Sequence, residues 1–88
     1  MQAYKVAFDE DADKDLYSLD KPTRKRILSK IEWLRSHCDE VTHLPLSYEF
    51  KDFFKLRIGK WRVLYSVDYT RRKILIAQVD RRDRIYKR

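Results

Sequence analysis

The sequence predicts a small α+β domain in the order β-α-α-β-β-β, with an antiparallel sheet and a helical hairpin packed on one of its faces. Three observations predict it. Apolar side chains alternate near the start of the chain and again through residues 53–79, the period of strands with one buried face. Between those stretches apolar residues recur at the three- and four-residue spacing of helices. One glycine and two prolines in 88 residues, 43% of them hydrophobic, suit one folded domain over residues 1–88 with a thin core.

The elements follow in chain order. Tyr4, Val6 and Phe8 alternate with Lys5 and Ala7, which gives a first strand. Asp9 then stands at an N-cap, and Glu10, Asp11 and Asp13 fall in the first turns, where the helix dipole favours negative charge. Ala12, Leu16 and Leu19 form the apolar stripe of this short helix. Asp20-Lys21-Pro22 restarts the chain, because proline's missing N–H costs nothing in a first helical turn. Ile27, Leu28, Ile31 and Leu34 mark the apolar face of a second helix, from about Pro22 to His37. Residues 38–49, with Pro45, read as a loop. Phe54, Leu56 and Ile58 then alternate with Phe53, Lys55 and Arg57. Gly59-Lys60 has two-residue hairpin spacing, with glycine leading as a type II′ turn prefers. Trp61, Val63, Tyr65 and Val67 define the next strand, Thr70-Arg71-Arg72 a turn, and Ile74, Leu75, Ile76, Ala77 and Val79 a buried central strand.

Charge is divided unevenly along this plan. Residues 1–50 carry 8 basic and 10 acidic side chains, whereas residues 51–88 carry 13 basic and 4 acidic. The whole excess of +7 therefore sits in the strand-rich half, which points to a polyanionic partner. Other classes fall away. No apolar run reaches the ~18–20 residues of a membrane span. The stretch MQAYKVAFDEDADKD turns acidic where an export signal needs apolar residues, so a cytoplasmic location is expected. The single cysteine, Cys38, fits a reducing compartment. His37, Cys38 and His43 match no standard zinc spacing, so no metal and no cofactor are expected.

Alternation places the charge. If Phe54, Leu56 and Ile58 face the helices, Lys55 and Arg57 point away from them. Antiparallel pairing over the two-residue turn sets Ile58 opposite Trp61, Arg57 opposite Arg62, and Lys55 opposite Leu64 and diagonal to Arg62. Lys55, Arg57 and Arg62 should then share one face. Like charges across strands repel, so a sheet gains nothing from gathering them unless an anion comes between. A solvated basic face without a ligand is the alternative. The C-terminal segment adds Arg81, Arg82, Arg84 and Tyr86. Guanidinium forks match phosphate geometry and tyrosine can stack on a base, although a charge run can equally be a solvated tail.

Residues 54–65, Phe54-Lys55-Leu56-Arg57-Ile58-Gly59-Lys60-Trp61-Arg62-Val63-Leu64-Tyr65, resemble the K-L-R-x-G-x-(Y/W)-R-V-x-Y core of the RelE/ParE toxin superfamily. The ending Val79-Asp80-Arg81-Arg82-Asp83-Arg84-Ile85-Tyr86 is similar to its V-x-x-R-x-x-x-Y terminus, and Asp20-Lys21-Pro22 to its second-helix entry. The resemblance spans nearly the whole chain and favours the RelE branch. It implies the toxin of a type II toxin–antitoxin pair, an endoribonuclease that cuts messenger RNA on the ribosome. The 2′-hydroxyl attacks the adjacent phosphate without a metal, leaving a 2′,3′-cyclic phosphate and a free 5′-hydroxyl. The implied partners are a cognate antitoxin, the ribosome with its message, and operator DNA for the toxin–antitoxin complex; a membrane is not among them.

By position in the motif, Lys55 would be the base or a phosphate-holding cation. Arg62 would stabilise the pentavalent phosphate. Arg82 would stabilise charge or protonate the leaving oxygen, and Tyr86 would stack on a base. Arg57, Arg81 and Arg84 would bind RNA. Phe53 stands where some members carry a second lysine, and Arg81 where many carry a histidine. No histidine follows position 43. Lysine, arginine and tyrosine do not ordinarily titrate near neutrality, so this half supplies positive charge more readily than proton transfer. Two other readings share the scaffold: a ParE-type inhibitor of DNA gyrase without nuclease activity, and a non-catalytic nucleic-acid-binding module.

Overall fold

In a computed structural model that describes residues 4–45 and 52–81, Lys5–Phe8 form strand β1 and hand over directly to a helix. Asp9 caps helix α1, Glu10–Tyr17, its carboxylate accepting the Asp11 N–H at 3.3 Å. Asp20 caps helix α2, Lys21–His37, in the same way, accepting from Thr23 N at 3.4 Å with Pro22 in the first turn. The Asp9 cap stands where the sequence placed it, and the Asp20 cap lies at the restart marked by Asp20-Lys21-Pro22; in both a short acceptor side chain satisfies amides that have no intrahelical partner. The connection between the helices is kept short by Arg24. Its guanidinium reaches back to the carbonyls of Leu16 (3.0 Å) and Leu19 (2.9 Å) at the end of α1. Leu19 lies beyond α1 but still packs on the core.

Four further strands complete a five-stranded sheet: β2 (Leu44–Pro45), β3 (Phe54–Ile58), β4 (Trp61–Asp68) and β5 (Lys73–Arg81), in the order β1-β5-β4-β3-β2. The α+β class and the antiparallel β3–β4–β5 meander match the sequence reading. Two features differ. The sheet is mixed, because β1 pairs parallel to β5, Lys5 beside Lys73 and Phe8 beside Ile76. Residues 44 and 45 add a short edge pairing, Leu44 to Lys55 and Pro45 to Phe54, within the stretch expected to be loop. Parallel neighbours need a long crossover, and the helical hairpin begins one: it carries the chain across a face, so that β5, two hairpins later, runs in the direction of β1.

The helices cover one face of this sheet. Ala12, Leu16, Ile27, Ile31 and Leu34 pack against Ile58, Val63, Tyr65, Ile74, Ile76 and Val79, with Phe54, Leu56 and Trp61 partly buried around them. Each fully buried Leu, Ile or Val among them contributes about 1.5–3 kcal/mol. The β3–β4 turn has Gly59 at φ +59°, and among the described residues only Arg72 is a non-glycine with positive φ. A single left-handed residue leading the turn is the type II′ pattern.

β5 is interrupted where β1 ends. Tyr65 pairs with Ile76 but Leu64 pairs with Gln78, so Ala77 is an extra residue and the alternation of β5 changes phase. Past this bulge α1 takes the place of a neighbouring strand, and the Val79 N–H donates to Asp15 Oδ2 at 3.1 Å.

The opposite end of the sheet is closed by polar side chains. The Tyr4 hydroxyl donates to Asp39 Oδ1 and Arg72 Nη2 donates to Asp39 Oδ2, each at 2.8 Å. Burial, and then the hydrogen bond to Asp39, push the Tyr4 hydroxyl up to about 12. His43 Nε2 lies 2.8 Å from the Cys38 carbonyl, which can only accept, so this nitrogen carries the proton and Nδ1 accepts from the Tyr65 hydroxyl at 2.6 Å. The contact ties the end of α2 to β4. Burial pushes the Cys38 thiol up, the opposite of what a nucleophile needs.

Candidate nucleic-acid interface

The face of the sheet away from the helices carries the charge. In the β3–β4 ladder Ile58 lies opposite Trp61, Arg57 opposite Arg62, and Lys55 opposite Leu64, the register expected from the turn length. The apolar set of both strands packs on the helices, so Lys55, Arg57 and Arg62 project from the other side. Directly opposed residues have Cβ atoms only about 5 Å apart. The three cations differ in exposure. Arg57 is exposed, Lys55 is half-buried, and Arg62 retains only 5% of its surface. A guanidinium buried to that degree is not a solvated surface charge. Arg62 is flanked on its own face by Leu64, itself buried and packed on Ala77. An apolar floor under a fork of N–H donors lowers the local dielectric and strengthens attraction for a phosphate.

Other sequence-predicted positions separate from this group. Arg81 pairs with Trp61, so its place in the ladder is on the helix side of the sheet, exposed at the end of β5. Arg82, Arg84 and Tyr86 lie outside the described residues. Among the described residues no group of three His, Cys, Asp or Glu side chains could hold a metal ion. No described helix is long and apolar enough to cross a membrane.

Two residues were missed by sequence reasoning. Asp80 pairs with Arg62 on the β5 side, so one row across three strands reads Arg57, Arg62, Asp80. Counting back from the β4–β5 turn without the bulge would set Val79 there instead. The signal was present in the apolar pattern, whose core residues change from even (Ile74, Ile76) to odd (Val79). Arg26 of α2 is the second: its Nη2 would stand 3.0 Å from a Cβ at Gly59, so its guanidinium lies against the hairpin tip beside Lys60.

The sequence matches, over residues 6–86, the family described as the ParE toxin of type II toxin–antitoxin systems. The chain belongs to that family. The toxin also resembles solved members of the wider RelE/ParE superfamily. It is 29% identical to a chain of the toxin–antitoxin complex RelBE2 from Mycobacterium tuberculosis, at a TM-score of 0.81 over 93% of this chain and 94% of the other. It is 27% identical to a chain of the archaeal RelE–RelB complex from Pyrococcus horikoshii, at 0.74 over 94% and 99%. The isolated RelE toxin of E. coli shares the fold at 20% identity, with a TM-score of 0.76 over 97% and 93%. No curated protein matches the sequence. The toxin is thus the toxin component of a type II toxin–antitoxin system.

Proposed function

We propose that the toxin is a ribosome-dependent messenger-RNA endoribonuclease acting in the cytoplasm. The observation that carries this reading is the buried Arg62 guanidinium, opposed by Arg57 and diagonal to Lys55 on one sheet face. Attack of a 2′-hydroxyl on the neighbouring phosphate builds negative charge on the non-bridging oxygens. Fixed guanidinium donors in a partly desolvated site stabilise that charge more in the transition state than in the ground state. Arg62 is the stabiliser in this scheme, Arg57 holds the adjoining backbone, and Lys55 acts at one of the two oxygens that exchange places on phosphorus. By resemblance, Arg82 and Tyr86 add charge stabilisation and base stacking. The ribosome supplies the alignment of the message, which is worth much of the barrier in such reactions. Solved relatives crystallised with an antitoxin support a cognate antitoxin as partner, and acidic residues of such a chain would cover the basic face.

Expression followed by primer extension on cellular messages tests the reading. Wild type should stop growth and leave discrete 5′ ends within translated regions, while Arg62→Ala should abolish both. Growth arrest with intact messages and a DNA-damage response would instead favour gyrase inhibition. That second reading is supported by the match to the ParE description rather than to a nuclease.

A further inference from the structure

We propose that Asp80 is the proton acceptor of the cleavage step, working across Arg62 from Lys55. The proposal rests on the ribonuclease reading above and supplies what the basic face lacks. A guanidinium offers only N–H donors and no acceptor, so neither Arg57 nor Arg62 can take the proton of a 2′-hydroxyl. A carboxylate is the ordinary side chain for that task once histidine is absent.

Asp80 is brought to this face by a specific device. The bulge at Ala77 shifts β5 by one residue, turning Val79 into the core and placing Asp80 beside Arg62. The shifted segment is held from outside, where Asp15 of α1 accepts the Val79 N–H at 3.1 Å. The carboxylate itself is oriented by its Oδ1, which accepts the Arg81 N–H at 2.7 Å. A surface made only to attract RNA is weakened by an acid at its centre. A surface that must also move a proton needs one.

The layout suits an in-line displacement, in which the entering and leaving oxygens lie on opposite sides of phosphorus. Lys55 stands on β3 and Asp80 on β5, with Arg62 on β4 between them. Lys55 lies two strand spacings across from Asp80 and two residues along, a backbone separation of about 12 Å that leaves room for a phosphate seated on Arg62 between the two side chains. In the step, the 2′-oxygen gives its proton to the Asp80 carboxylate and forms the O–P bond. The P–O5′ bond breaks, its electron pair stays on the 5′-oxygen, and that oxygen takes a proton from the Lys55 ammonium. The products are the 2′,3′-cyclic phosphate and the 5′-hydroxyl, and solvent restores both side chains.

The test uses purified full-length toxin and ribosomes carrying a defined message, under single turnover. Asp80→Asn should slow cutting by about 10²–10⁴-fold. It should bind a message with a 2′-deoxy sugar at the cut site as tightly as wild type, or more tightly. A message with sulfur in place of the bridging 5′-oxygen needs no acid, so it should restore Lys55→Ala to near the wild-type rate and leave Asp80→Asn slow. Cutting by Asp80→Asn within about threefold of wild type, equal loss of binding and cutting, or rescue of Asp80→Asn by sulfur would each overturn the assignment. Should Asp80→Asn not fold, Asp80→Glu and Asp80→Ser decide: Glu retains cutting and Ser does not, and equal rates overturn the proposal. If wild type itself leaves the message whole, the ribonuclease reading fails and this step fails with it, whereas an active wild type with an equally active Asp80→Asn removes only Asp80.

Discussion

Replacing Arg57 by threonine should make the toxin more stable and less active. Arg57 faces Arg62 directly across β3 and β4, and it is exposed, so its removal uncovers little apolar surface. Guanidinium groups splayed to roughly 7 Å repel by about 0.6 kcal/mol in a medium as polar as water and by about 2.4 kcal/mol at an effective dielectric of 20. The exposure of Arg57 puts the pair toward the first limit, within the ~0.2–1 kcal/mol typical of cross-strand charge pairs. Threonine also suits a strand. For a domain of this size a gain of about 0.6 kcal/mol raises Tm by about 2–5 °C. The assay is thermal and urea unfolding in 10 mM and 1 M salt. The gain should be present at low salt and vanish at high salt, where the screening length falls to about 3 Å. Message cutting by the same variant should fall about 10- to 100-fold, the worth of one charge-assisted contact. An Arg57→Thr protein no more stable than wild type at low salt would refute the claim that the sheet holds these cations at a cost to its own stability.

Three further outcomes are expected. Gly59→Ala forces an L-residue to φ +59° and should cost about 1–2 kcal/mol, lowering Tm by about 4–16 °C; the nearby Arg26 side chain can swing aside, so adding Arg26→Ala should recover little of the loss in a thermal melt. Ile27→Ala, at a fully buried position between α2 and the sheet, should cost about 2–5 kcal/mol, read as a lower urea midpoint at unchanged slope. The hydrogen bond from Arg72, and then that from Tyr4, hold the Asp39 carboxyl below its usual range. Its folded value is depressed, so its stabilisation is present above the unfolded value near 4 and is lost as pH falls through the folded one. The stability gap between wild type and Asp39→Asn should therefore be constant from pH 6 to 8 and close below about pH 4, and a gap unchanged at pH 2 would contradict the ion pair's role.

Local chemistry made most of the elements legible. Asp9 announces a helix start because few residues other than short acceptors serve there, Pro22 announces a second because its missing N–H costs nothing in a first turn, and a two-residue turn led by Gly59 leaves one register for β3 and β4. The cross-strand pair of Arg57 and Arg62 followed from that register alone. What was not legible is non-local or depends on a single extra residue. Alternation in Tyr4, Val6 and Phe8 marks a strand but not its neighbour, so the parallel seat of β1 beside β5 was hidden. Leu44 and Pro45 are too few to have a period. The place of Asp80 depended on Ala77, because one unpaired residue exchanges the faces of everything beyond it. Arg81 was assigned by type rather than by parity, and parity sets it on the helix side.

The seat of β1 has a consequence for how the chain is made. Lys5 leaves the ribosome early and Lys73 late, and at about 5–20 residues per second the first strand waits roughly 3–14 s for its neighbour. The helices can form meanwhile from local contacts. Their apolar face stays open to water until Val63, Tyr65, Ile74 and Ile76 arrive to cover it. Docking β1 also closes the longest loop in the fold, so it is the costliest contact in chain entropy and belongs near the end of the folding path. A newborn copy is therefore a sticky, unfinished object for seconds before it can do harm.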